Sequence, residues 1–219
     1  MIDNERQLKE VIKVLSEEGV LTKTILIGSW CLLFYKHIFE DFDALIRTTD
    51  IDFYVPNPKS FNQKNELVSS FKNINYDVTH DTLTHKTTFI SPDKFEIEFL
   101  TKLNRNQLPC VQLGNTTIFA ESLSYVEIFS FNYIEVDYFG IKLKVASPVS
   151  FVLQKLLINK DRKSDYKKAK DLDAVRLVLS YIKLSPKYKQ ELKDSLETYP
   201  KKWKKIILQT AEENNIFLD

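Results

Sequence analysis

The sequence is poor in what would make a chain loose, cross-linked or membrane-bound. Four glycines and seven prolines in 219 residues leave little for flexible linkers, and nothing repeats or falls into low complexity. Cys31 and Cys110 are isolated and lack metal-ligand spacing, so both read as reduced thiols. No apolar run approaches the roughly 20 residues of a membrane span. The first residues are polar and acidic, with no apolar stretch of a signal peptide, which predicts a cytoplasmic protein. Neither sign of charge dominates: 31 Lys and Arg face 30 Asp and Glu, a net charge of +1 that selects no partner. A Gly-x-x-x-x-Gly-Lys loop, a paired Cys-x-x-Cys and a Ser-His-Asp order are all missing. His37, His80 and His85 have no mutual spacing that suggests zinc. The length suits one large domain or two small ones with a proper core.

What is there centres on residues 24–54. Thr24-Ile25-Leu26-Ile27 is β-branched and apolar and ends at Gly28-Ser29, which predicts a buried strand meeting a turn. From Ser29 the spacing becomes helical, with Trp30, Leu33 and Phe34 on one side. Ile51, Phe53 and Val55 then alternate with Asp50, Asp52 and Tyr54. On a strand this puts Asp50 and Asp52 on one face, about 7 Å apart, and the apolar residues on the other. Two such carboxylates repel unless a cation lies between them. A divalent metal is the natural occupant, since Mg²⁺ takes one or two carboxylates and leaves its remaining positions to water and phosphate oxygens.

The rest of the chain frames this stretch. Leu8, Val11, Ile12 and Leu15 predict a helix over 3–18, stopped by Gly19. Asn57-Pro58 predicts the start of a helix to about Lys72 with Phe61, Leu67, Val68 and Phe71 inward. Strands are expected at 76–80, 84–90 and 95–101, the last placing Glu96 and Glu98 on one face. Residues 102–120 read as irregular and 122–129 as a short helix. A hairpin is expected at 133–145 around Phe139-Gly140. From Ser147-Pro148 onward every segment has helical spacing, predicting helices at 148–160, 166–182, 187–198 and 201–214. The domain boundary therefore falls near residue 146, an α/β domain over 1–146 followed by a helical part over 147–219. Lys201-Lys202 and Lys204-Lys205 flank Trp203; this reads either as a basic patch for RNA phosphates or as solvated lysines around a docking Trp.

The stretch 24–54 resembles the nucleotidyltransferase superfamily with the DNA polymerase β-like fold, whose signature is a Gly-Ser turn, a helix, then Asp-x-Asp on the next strand. Arg47-Thr48-Thr49-Asp50-Ile51-Asp52 looks like the form found in AbiEii-type proteins. The resemblance implies an α/β fold: a small mixed sheet with flanking helices, followed by a helical C-terminal part. It also implies Mg²⁺- or Mn²⁺-dependent transfer of a nucleotidyl group from an NTP, ATP among them, to an acceptor hydroxyl or phosphate with release of pyrophosphate. Asp50 and Asp52 would be metal ligands. A third carboxylate comes from a later strand, where Glu98 is favoured over Glu96. Gly28 and Ser29 would approach the phosphates, Ser29 being otherwise a plain N-cap. Arg47 and Thr48 would support the metal strand, or Arg47 is a surface charge.

A second constellation is Lys155, Arg162 seven residues later, and Lys170-Asp171. It resembles the AbiEii-type run of a Lys, an Arg, then a basic-Asp pair, although Asp173 stands one residue earlier than that family's second Asp. Lys155 would reach nucleotide phosphates, and Asp171 would orient it or act on the acceptor. The lysines read equally as a solvated face. The acceptor is expected to be RNA such as tRNA, a small molecule or a protein side chain, with an antitoxin as a further partner. The alternative function is a non-catalytic nucleotide-binding or toxin–antitoxin interaction module with the same fold.

Overall fold

A computed structural model describes residues 2–46, 48–61, 66–104, 106 and 108–218; for residues 2–4 it describes the backbone alone. Arg47 lies outside the described residues. The chain divides into two compact units, one of Met1–Phe34 with Ala44–Ala146 and one of Tyr35–Asp43 with Ser147–Asp219.

In the first unit, α1 (Ile2–Glu17) turns Leu8, Val11, Ile12 and Leu15 fully inward, as their 3.6-residue spacing dictates. The strands are β1 (Ile25–Ile27), β2 (Asp50–Tyr54), β3 (Asp77–His80), β4 (Thr87–Ile90) and β5 (Glu96–Lys102), then β6 (Cys110–Gln112), β7 (Phe119–Leu123), β8 (Tyr133–Tyr138) and β9 (Ile141–Ala146). Among the described residues they form one mixed sheet in the order β3-β4-β5-β2-β1-β9-β8. β5 carries neighbours along both edges. β2 runs parallel to it from Asp50↔Glu96 to Tyr54↔Leu100, while β4 and then β7 share its other side.

Alternation explains why β2 and β5 hold this register. Ile51, Phe53, Ile97 and Phe99 are all fully buried, while Asp50, Asp52, Glu96 and Glu98 point to the opposite, wetter face. Under the apolar face the rings of Phe53, Phe61 and Phe89 lie 6.1, 5.8 and 6.2 Å from that of Phe99. α3 (Glu66–Asn73) adds Phe71 at 4.5 Å from Phe89 and packs against α1.

The second unit is helical. Ser147 caps α4 (Pro148–Ile158) by accepting the Ser150 N–H at 3.0 Å, with Pro148 in the first turn. Then come α5 (Asp165–Leu184), α6 (Pro186–Thr198) and α7 (Lys201–Glu213). Tyr35 and Phe42 from the short segment join this unit, their rings 5.8 Å from Phe151 and 4.9 Å from Tyr181. No helix of the described residues is long and apolar enough to cross a membrane.

The α/β class and the four C-terminal helices agree with the sequence reading; several segments do not. Of the helix expected over 57–72, Pro58–Ser60 form a single 3-10 turn, Phe61 is extended and α3 spans Glu66–Asn73, while residues 62–65 lie outside the described residues. Residues 102–120 contain β6 and the start of β7, and the helix expected at 122–129 is the end of β7 plus a 3-10 turn, Val126–Ser130. These strands are three and five residues long, too short to show alternation among polar neighbours. The sheet is accordingly larger than expected. After Gly28 the chain makes a 3-10 turn, Gly28–Trp30, before α2 (Cys31–Tyr35), so Ser29 does not open a regular helix.

Phe99 touches three rings at the centre of the sheet, so Phe99→Ala should destabilise the protein by about 3–5 kcal/mol. Leu83→Ala, at a residue 89% exposed, should change stability by less than about 0.5 kcal/mol. Urea unfolding of the two variants checks the contrast.

Candidate active site

The site is built where the end of β1 meets β2. The two strands pair antiparallel with Ile27 opposite Asp52, so the chain leaves β1 directly beside that aspartate. Gly28 has φ +73°, a left-handed conformation that glycine adopts without strain. A Cβ on Gly28 would stand 2.6 Å from Asp52 Oδ2. Only a residue without a side chain lets the backbone come this close to the carboxylate. Ser29 follows, half-buried in the same turn.

Asp50 is exposed and Asp52 half-buried. Thr48 Oγ1 accepts the Asp50 N–H at 3.3 Å, and Thr49 Oγ1 donates to Asp50 Oδ1 at 3.5 Å, so the hydroxyls before β2 steady its first residue. The parallel register sets Glu96 beside Asp50 and Glu98 beside Asp52. Given strand spacings, the four carboxylate-bearing positions mark a rectangle of about 5 by 7 Å on one face.

Glu98 already has a cation. Lys86, just before β4, donates to Glu98 Oε1 at 2.6 Å and to Glu121 Oε2 on β7 at 3.0 Å. Burial alone would lower the Lys86 pKa, but hydrogen bonds to the two carboxylates outweigh it and hold the ammonium at about 12. Burial pushes the Glu98 carboxyl up, and Lys86 opposes this only in part. Among the described residues no three His, Cys, Asp or Glu side chains gather closely enough to hold a metal ion. Carboxylates are the donors that a hard divalent cation takes, and Asp50 and Asp52, on one face of β2, have that chemistry. Glu98 lies in the adjacent register position with its carboxylate on Lys86.

Residues 6–199 match the family described as Nucleotidyltransferase. The chain belongs to that family. A search of curated proteins finds no match. Among solved structures, the antibiotic-resistance factor ANT(2'')-Ia in complex with adenylyl-2''-tobramycin aligns over 95% of this chain and 97% of its own, at TM-score 0.51 and 10% identity. The solution structure of ANT(2'')-Ia aligns over 96% and 99%, at TM-score 0.50 and 10% identity. An antigenic nucleotidyltransferase-like protein from Paracoccidioides brasiliensis covers 92% of each chain, at TM-score 0.47 and 15% identity. At such identities the first two likenesses show a common fold.

In the helical unit of this family member, Lys155 on α4 and Asp171 on α5 form a buried ion pair, and Arg162 Nε donates to the second Asp171 oxygen at 2.9 Å. Lys155 is 6% exposed and Asp171 5%. Burial pulls the Lys155 pKa down, with Asp171 working against it. Arg162 lies past the 3-10 turn Asn159–Asp161 in extended backbone. Lys170 is half-buried on α5, and Asp173 is exposed and pairs with Arg176 at 3.4 Å. The structure thus joins Lys155, Arg162 and Asp171 and leaves Asp173 apart. Cys31 and Cys110 are buried thiols, Cys31 Sγ donating to the Leu26 carbonyl at 3.4 Å, and His80 Nδ1 lies 3.1 Å from Thr87 Oγ1.

Sequence reasoning passes over Lys86 and Glu121. A single Lys ahead of a four-residue strand carries no periodic mark, and Glu121 sits on a strand that the pattern does not reveal.

The shared Asp171 makes its pair asymmetric. Asp171→Ala strands the buried Lys155 ammonium and should cost about 3–5 kcal/mol. Lys155→Met leaves Asp171 bonded to Arg162 and should cost about 1–3 kcal/mol. Denaturant unfolding at pH 7 measures both; equal losses would mean that Arg162 contributes nothing to the pair.

Proposed function

We propose that this family member transfers a nucleotidyl group from an NTP to an acceptor hydroxyl or phosphate and releases pyrophosphate. The observation that carries the reading is the close approach of the Gly28 backbone to Asp52, at the place where Asp50 shares the strand face. Asp50 and Asp52 would hold Mg²⁺ or Mn²⁺, and Glu98, ahead of Glu96, would be the third carboxylate. A bound divalent ion lowers the pKa of an attacking hydroxyl and neutralises charge developing on the phosphates. Gly28 and Ser29 would line the phosphate side, because a turn without a side chain opens room for anionic oxygens beside the strand. Thr48 keeps Asp50 in place through its backbone N–H. Arg47 is offered as a support of the same strand. In the helical unit Lys155, Lys170 and Asp171 are offered as phosphate and acceptor groups, and Lys155 can serve only by leaving Asp171 to Arg162.

The motif order Arg47-Thr48-Thr49-Asp50-Ile51-Asp52 supports a relationship to AbiEii-type proteins within the family. RNA, an aminoglycoside-like small molecule and a protein side chain are the acceptor classes to separate. Incubation with each labelled NTP and the RNA, protein and metabolite fractions of a cell shows which one carries label. One observation favours a second reading, binding without turnover: the Glu98 carboxylate is engaged by Lys86. Nucleotide and metal binding with no pyrophosphate release from any NTP would establish that reading.

Asp50→Asn and Asp52→Asn should each lower pyrophosphate release by at least about 100-fold, the scale of a lost electrostatic contact in a transition state. Asp50 is exposed, so Asp50→Asn should unfold within about 0.5 kcal/mol of the parent. Gly28→Ala should lower turnover comparably, because its methyl displaces Asp52. Retained turnover in all three variants would remove this face from the reaction.

A further inference from the structure

We infer that Lys86 is a positioning residue that holds Glu98 in the metal-free protein and yields it to a divalent ion at Asp50 and Asp52, with Glu121 keeping the ammonium paired as it lets go. The inference rests on the metal-site reading above and adds to it a residue and a mechanism.

Three observations support it. Glu98 stands opposite Asp52 on the neighbouring strand, on the same face, while its carboxylate is bound to Lys86. Lys86 makes two contacts of comparable length, 2.6 Å to Glu98 and 3.0 Å to Glu121. Releasing the first therefore leaves no buried ammonium without a partner. The ends of this bridge are also solvated unequally: the Glu98 side chain is 17% exposed, Lys86 24% and Glu121 35%. The group best placed to receive Lys86 is thus the one nearest water, where rearrangement is easiest. A bridge serving only to tie β5 to β7 would need no carboxylate in register with the Asp-x-Asp strand.

Such an arrangement makes Lys86 a competitor for Glu98. Without an ion, the Lys86 ammonium offsets the repulsion between Glu98 and the acids beside it. With an ion, that role passes to the metal, and Lys86 moves fully onto Glu121. Lys86 touches neither nucleotide nor acceptor in this scheme and acts through Glu98 alone.

The test is Mn²⁺ binding to the full chain without nucleotide, followed by calorimetry. Lys86→Met should tighten binding about tenfold, the fold-change that one charge-assisted hydrogen bond between partly buried groups supports. Glu121→Gln, which leaves Lys86 only Glu98, should weaken binding about threefold. In a Glu98→Gln background both effects should shrink below about twofold, since the coupling runs through that carboxylate. Lys86→Arg should stay near the parent. Equal tightening by Lys86→Met with and without Glu98 would make it a long-range field effect and overturn the inference. No change in either variant would leave Lys86 a structural tie and overturn it as well. If Lys86→Met does not fold, Glu121→Gln in the two backgrounds decides by the same criterion. If the parent binds no Mn²⁺, or Asp52→Asn binds it as tightly as the parent does, the metal-site reading itself falls and takes the inference with it. A parent that binds through Asp52 and ignores Lys86 loses the inference alone.

Discussion

Repulsion among acids on one face of two paired strands is the constraint the site must satisfy. Two unit charges about 6 Å apart at an effective dielectric near 20 repel by roughly 3 kcal/mol. Asp50, Asp52, Glu96 and Glu98 would not be set side by side by any local preference of their own. They are held there from behind. Ile51, Phe53, Ile97 and Phe99 are fully buried on the opposite face, and a slip of one residue in either strand would drive its two carboxylates into that core. Each fully buried Phe contributes about 1.5–3 kcal/mol, so the apolar face can outweigh the electrostatic cost in front of it. The packing energy of the sheet is what keeps the acids together.

The protein contains two lysines that neutralise carboxylates in different ways. Lys86 is partly exposed and shared between two glutamates, so neither contact is indispensable. Lys155 is buried, and the shared partner there is the acid: Asp171 receives both Lys155 and Arg162. The first arrangement can exchange partners at little expense in desolvation. The second binds α4 to α5 and to the segment after α4, and disturbing it exposes a buried charge to an apolar surround. By this difference Lys86 is the easier of the two to rearrange, and Lys155 can leave Asp171 only where another anion receives it.

Much of the fold is legible in the amino-acid sequence alone. The apolar spacing of Leu8, Val11, Ile12 and Leu15 specifies α1, and Ser147-Pro148 specifies the start of α4, because each signal acts within a turn or two of itself. The alternation of β2 and β5 is equally plain, and so is the sharing of one face by Glu96 and Glu98. Which glutamate stands beside which aspartate is not, because register is a relation between strands 46 residues apart, set by packing. Lys86 and Glu121 are hidden for the same reason. The one serves a strand it does not belong to, and the other lies on a short strand among polar neighbours. The extended Phe61 after Pro58–Ser60 escapes a sequence reading because the cap and proline are good helix signals that tertiary context overrides.

The near-zero net charge also conceals something that bears on the proposed chemistry. Residues 1–146 carry fifteen Lys and Arg against twenty Asp and Glu, whereas residues 147–219 carry sixteen against ten. The acid-rich segment is the one with the paired strands. Its carboxylate face, with Lys86 already bound to Glu98 and Glu121, would repel the triphosphate of a free nucleotide. Under the proposed reading, the nucleotide must therefore approach this face with its divalent ion, whose two positive charges offset those of Asp50 and Asp52 and leave the phosphates a position that is no longer anionic.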